Sequence, residues 1–242
     1  MHATAKPRSR FFLAMGGVFL LVALVGFMGT YFVPMARRSF HAPAMVHVHG
    51  ALLFGWLLLF IVQAWRVQRR RMPQHRQWGW FGAGMCVAIM ASGVGVGLFA
   101  TRRDLAAGGG DFALGQFVNI LIEMLLFGAL VGAAVALRRD GESHKRLLLL
   151  ATISALAPAW LRFRHLFPDV PHPFVTFSIV ADALLLVAIA RDWIALRRVH
   201  PVYLWAGGAM VLVHAVELLA ITSPPWLWLS RQLLGVDASA AG

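Results

Sequence analysis

The sequence predicts an all-α, polytopic membrane protein with seven transmembrane helices, and three observations carry that prediction. Hydrophobic residues make up 60% of the 242-residue chain and charged residues only 13%, about half the charged share of a soluble domain. Mean hydropathy is +0.72. Seven apolar stretches are each long enough, at about 1.5 Å per residue, to cross about 30 Å of hydrocarbon.

In chain order the stretches fall at about 11–36, 44–65, 78–101, 114–137, 147–167, 174–195 and 202–223. The segment before the first, residues 1–10, looks like the basic start of a signal peptide. The run from there to Ala36 is too long for a cleaved core and lacks a small-residue cleavage site, so a retained first helix is expected. Basic residues gather in alternate connections: Lys6, Arg8 and Arg10; Arg66, Arg69, Arg70, Arg71 and Arg76; Arg138, Arg139, Lys145 and Arg146; Arg191, Arg197 and Arg198. These are 15 of the 22 Lys and Arg. The positive-inside rule then puts residues 1–10 in the cytoplasm and the C-terminus outside. The other connections are RRSFHAP, a Gly108-Gly109-Gly110 turn and FPDVPHP. After the seventh span, SPPWLWLSRQLLG places Trp226, Trp228 and Arg231 on an amphipathic stretch, 224–236, read as a short external interfacial helix, with a disordered tail at 237–242.

The formal charge of +12 invites a nucleic-acid reading, but its position between apolar spans makes it a topology signal, so no nucleic-acid partner is expected; membrane lipids are. The single Cys86 lies within an apolar run, which excludes disulfide and cysteine-based metal frameworks. Each Arg-rich hairpin ends in a histidine before the next helix: His75 in PQHRQWGW, His144 in ESHKRLLL and His200 in RRVHPVYL. These read as interfacial side chains. Ser143 or Glu142 suits the cap of the fifth helix and Pro201 the first turn of the seventh. Gly93 and Gly97 in the third span form a small-xxx-small pattern that indicates close helix packing.

Six polar groups remain inside the spans. Counted from the external ends at about 1.5 Å per residue, His47 and His49 lie roughly 5–8 Å deep, Glu217 roughly 9 Å, and His214, Glu123 and Asp182 roughly 12–14 Å. All fall in the outer half, and no comparable charge is expected in the inner half of any span. Ionisable groups at membrane depth mark functional sites. His214 and Glu217 share a helix face, as do Asn119 and Glu123. His47 and His49 lie about 200° apart around their helix, so only one, taken as His47, is expected to face the bundle. Arg162 and His165 share a face just above this layer, with Pro158 kinking the helix beneath them.

Imidazoles with carboxylates suit a divalent or iron site, so His47, His214, Glu217, Glu123 and Asp182 are the expected ligands of Zn or Fe, with His49, His165, Arg162 and Asn119 as additional members. Such a site supports metal-dependent hydrolysis or oxidation of a lipid-soluble substrate. An alternative is haem b, with His47 or His49 opposite His214 and Arg162, Arg164 or Arg37 near the propionates. A third is a proton-coupled carrier using Asp182 and Glu123 as relays, although no broken-helix repeat plan is evident in the sequence.

HVHG (His47 to Gly50), MPQHRQWGW (Met72 to Trp80), SHKRLLLLATISALAPAW (Ser143 to Trp160) and VHPVYLWAGG (Val199 to Gly208) resemble uncharacterised bacterial seven-span inner-membrane proteins over nearly the whole chain. That resemblance implies a bacterial inner-membrane location and no particular activity. HKRLLLLAT followed by His165 is more distantly similar to small cytochrome-oxidase-assembly membrane proteins. The seven-span zinc hydrolases of the adiponectin-receptor and alkaline-ceramidase kind carry HxxxH on their last helix; here the corresponding stretch is HAVE, His214 to Glu217.

Overall fold

A computed structural model describes residues 10–235. The expected tail at 237–242 and the basic residues Lys6 and Arg8 lie outside the described residues. Among those described there are helices and no strand. Seven helices are long and apolar enough to cross a membrane: Phe11–Ala36, Ala44–Gln68, Met72–Ala106, Gly110–Ala136, Gly141–His165, Pro173–Leu196 and Tyr203–Ala220.

The fifth span is the centre of the bundle. Of its most apolar stretch 56% is buried, against 17–33% for the other six, and Leu149, Leu150, Ala151 and Thr152 are fully enclosed. The others turn apolar side chains outward, Ile194, Trp205 and Leu219 among them. A soluble protein rarely presents such a surface, whereas lipid solvates it. Trp56 of the second span donates to Thr152 at 3.2 Å and meets Phe127 of the fourth edge-on. Gly93 and Gly97 lie against Met124 and Ile120, the close approach their spacing predicts. Gly26 of the first span lies so near the Ala159 carbonyl that no larger residue fits.

Three spans are irregular. The first contains a π-helical turn, Met28–Phe32, and the seventh another, Tyr203–Gly207. The fifth is discontinuous: α-helix over Gly141–Ser154, a turn at 155–156, a short helix Ala157–Leu161 and a 3-10 turn Arg162–His165. Pro158 explains the break. It has no N–H to give the Ser154 carbonyl one turn back, and its ring clashes there. A broken helix, not evident as such in the sequence, is therefore present. The third span runs over 35 residues, well past the 78–101 expected, until Gly108 ends it at φ +82°.

The cap of the fifth span is neither Ser143 nor Glu142. Asp140 accepts from the Glu142 and Ser143 N–H groups at 3.0 and 3.3 Å and from the Ser143 hydroxyl at 2.5 Å. The Ser143 hydroxyl, followed by its N–H, holds this carboxyl below the usual aspartate range. A depressed folded value means that the cap's contribution is complete above the unfolded value near pH 3.9, and is lost as pH falls through the folded one. Asp140→Ala is expected to unfold at a lower temperature than wild type at pH 7. The gap should narrow as pH drops towards about 3, measured by thermal scanning in detergent.

A last helix, Pro224–Leu234, packs on the fourth span. Trp226 donates to Asn119 at 2.9 Å, and Arg231 pairs with Asp111 at 3.2 Å.

Candidate functional site

Four of the six polar groups singled out by depth meet in one place, between the fourth, fifth, sixth and seventh spans. His214 is 7% exposed. Its Nδ1 lies 2.7 Å from Asp182 Oδ1, and its Nε2 lies 3.1 Å from Glu123 Oε1, within ion-pair range but not aligned as a hydrogen bond. Glu123 Oε2 accepts from the Ser154 hydroxyl at 2.8 Å. Glu217, one turn beyond His214 on the same face and 6% exposed, lies beside Glu123, and its Oε1 has no hydrogen-bond partner.

The positioning follows from local structure. Spacing of three residues stacks His214 and Glu217. Ser154 ends the regular helix before the break, and its hydroxyl lies at the cluster's edge. One imidazolium can balance one carboxylate. The charge of a set with three carboxyls and one imidazole therefore depends on how many protons it holds, and those protons belong to the set rather than to one residue.

The remaining candidates lie elsewhere. His47 pairs with the Tyr31 hydroxyl at 2.8 Å and packs against Tyr31 and Phe40, facing the π-helical turn of the first span. His49 pairs with Ser92 on the third span at 2.9 Å. Ser92 spends its own proton on the Ala88 carbonyl at 2.7 Å, so His49 Nδ1 is the donor and its Nε2 is unprotonated when the ring is neutral. The 200° separation thus sends the two rings to opposite neighbours, and neither joins His214 or stands across from it as an axial partner. Arg162 donates to the Pro158 carbonyl at 2.6 Å and stacks on Phe27. Arg164 donates to the Leu161 carbonyl at 2.8 Å. His165 and Arg37 are exposed, and Asn119 is engaged by Trp226. Among the described residues, no group of three or more His, Cys, Asp or Glu is arranged to hold a metal ion.

A second charged centre, at the opposite ends of the fifth, sixth and seventh spans, corrects the expectation that the halves of the spans away from the first cluster carry no charge. Arg146 and Asp192 both have fully buried side chains and pair through Nε at 2.9 Å and Nη2 at 2.7 Å. Arg191 reaches Asp192 at 2.7 Å, Glu142 reaches Arg146 at 2.6 Å, and the Arg146 guanidinium lies over the Tyr203 ring. By sequence Arg146 belongs with the loop cations. The one available signal is Asp192, an acid that falls with Arg191 inside the sixth apolar stretch.

The centres are separated by 8 residues on the fifth span, 10 on the sixth and 11 on the seventh, about 12–17 Å of helix. Leu150, Leu185 and Met210 fill the interval, with Gly207 in contact with Leu185.

No protein-family model matches the chain, and comparison with curated proteins and with solved structures returns no match. Function is therefore argued from the site.

Proposed function

We propose that this multi-pass membrane protein takes up and releases protons at the Asp182–His214–Glu123–Glu217 cluster, as the coupling site of a carrier for small solutes. The observation that supports this best is the placement of a carboxylate at each nitrogen of one buried imidazole. An imidazole held in that way passes a proton by exchanging which nitrogen bears it. The broken fifth span adds support, because discontinuous helices at membrane depth line the substrate and ion sites of carriers. With the arginine-rich end cytoplasmic, in the inner membrane of a bacterium, the cluster opens towards the periplasm.

The test is proton flux into vesicles containing the purified protein, followed with a trapped pH dye while small solutes are supplied in turn, since a coupled carrier moves protons with its solute. Wild type is expected to dissipate an imposed pH gradient, and Asp182→Asn and Glu123→Gln to slow this by at least about a hundredfold. Flux unaffected by both variants would remove the proposal.

A second reading uses the same donors. Asp182 fixes His214 through Nδ1 as a carboxylate orients a metal-binding imidazole, and Nε2 and Glu217 Oε1 lack hydrogen bonds. Stoichiometric zinc or iron in the purified wild type, lost in Glu217→Gln, would favour a metal centre over proton exchange.

A further inference from the structure

The arginine-rich end of the bundle holds a cluster of bases that the proton site leaves unused. Gln63 and Arg66 lie one turn apart near the end of the second span, His75 and Trp78 one turn apart at the start of the third, and His144 at the start of the fifth. Gln63 donates through Nε2 to the His75 carbonyl at 3.0 Å, tying the two spans together. The His75 and His144 rings meet edge-on with centroids 6.1 Å apart. His144 Nδ1 donates to the Ala134 carbonyl at 2.8 Å, which fixes the ring and leaves Nε2 to face other groups.

Two observations separate this corner from an ordinary cationic loop. First, Arg66 Nη1 and His75 Nδ1 are both shielded from solvent and have no hydrogen-bond partner. Arginines that serve only as topology signals keep their guanidinium in water or among headgroups. Arg66 instead lies over the Trp78 ring, 4.5 Å from its centroid, which holds the guanidinium in place. Secondly, the charged groups acting on His75 are His144, Arg66 and Arg76, all of them bases. The two acids at the start of the fifth span, beside His144 in sequence, are committed elsewhere: Asp140 to Ser143, and Glu142 to Lys145 and Arg146. A group of neighbouring bases, two of them with a shielded and unpartnered nitrogen, is an arrangement that an anion completes.

We propose that this corner binds a phosphate group, with Arg66 and His75 as donors and His144 as the third side of the site. The group is presented either by an anionic phospholipid headgroup or as free phosphate. Basic pockets between spans at the arginine-rich face of membrane proteins select such groups, and Trp78 beside Arg66 suits the headgroup level. The site is independent of the proton cluster, which lies at the other end of the bundle.

The experiment is thermal unfolding of the full chain in neutral detergent, titrated separately with phosphatidylglycerol, phosphatidylcholine and inorganic phosphate. Wild type is expected to be stabilised by phosphatidylglycerol and not by phosphatidylcholine. Arg66→Gln and His75→Gln should each raise the half-saturating concentration by about fivefold or more, while Arg102→Gln, at the opposite end, leaves it unchanged. Stabilisation by inorganic phosphate alone, lost in the same variants, assigns the free ion as ligand. Equal response to the two lipids, or titrations that Arg66→Gln and His75→Gln do not alter, would overturn the proposal. Should His75→Gln fail to fold, Arg66→Gln carries the test.

Discussion

Asp192→Ala is expected to destabilise the folded protein by about 3–5 kcal/mol, the usual cost of removing one partner from a fully buried pair. The alanine would leave Arg146 and Arg191 facing the same space with only the exposed Glu142 as a counter-charge to Arg146, whose guanidinium has no access to water there. Asp192→Asn should recover part of the loss, since an amide oxygen still accepts from a guanidinium. The double substitution Arg146→Met with Asp192→Leu should recover most of it, because an apolar pair of similar volume avoids desolvating any charge. Thermal unfolding followed by size-exclusion chromatography in detergent measures all three. Asp192→Ala with a wild-type midpoint would show that the pair does not hold the bundle.

His214→Ala should act on both stability and proton flux. Without the imidazole, Asp182, Glu123 and Glu217 share a pocket with no cation among them, and the expected loss is about 2–3 kcal/mol. The loss is smaller than at Asp192 because the side chains of Asp182 and Glu123 keep 16% and 21% of their exposure. Flux should fall at least about a hundredfold, since the group linking the two acids is gone. Asp182→Asn in the His214→Ala background should restore part of the stability by removing one buried negative charge, and none of the flux. That split separates a relay from a structural network, in which both properties would recover together.

The seven spans are legible in the sequence because length and apolarity report directly on a bilayer. Depth counting groups Glu123, Asp182, His214 and Glu217, whose side chains do lie together, since chain direction alternates and helix rise is constant. It misleads for His47 and His49. Depth says nothing about direction around a helix, and the π-helical turn at Met28–Phe32 that brings Tyr31 to His47 has no signature in composition. Arg146 is hidden by its company. Beside Arg138, Arg139 and Lys145 it reads as a loop cation, and only a partner 46 residues away shows that it is internal. Ser154 is unreadable for a related reason: Pro158 announces a kink, but not which neighbour the freed turn will meet.

The same arginine bears on the order in which the molecule is made. The fifth span has the lowest hydropathy of the seven, 1.3, and becomes the most enclosed. It reaches the membrane 46 residues ahead of Asp192, so at that moment its buried cation has only Glu142, one turn earlier, as a counter-charge. Lodging of this helix is therefore completed by chain made after it. The sixth span delivers the second acid, so the ion pair that encloses the central helix can form only once that later span is made.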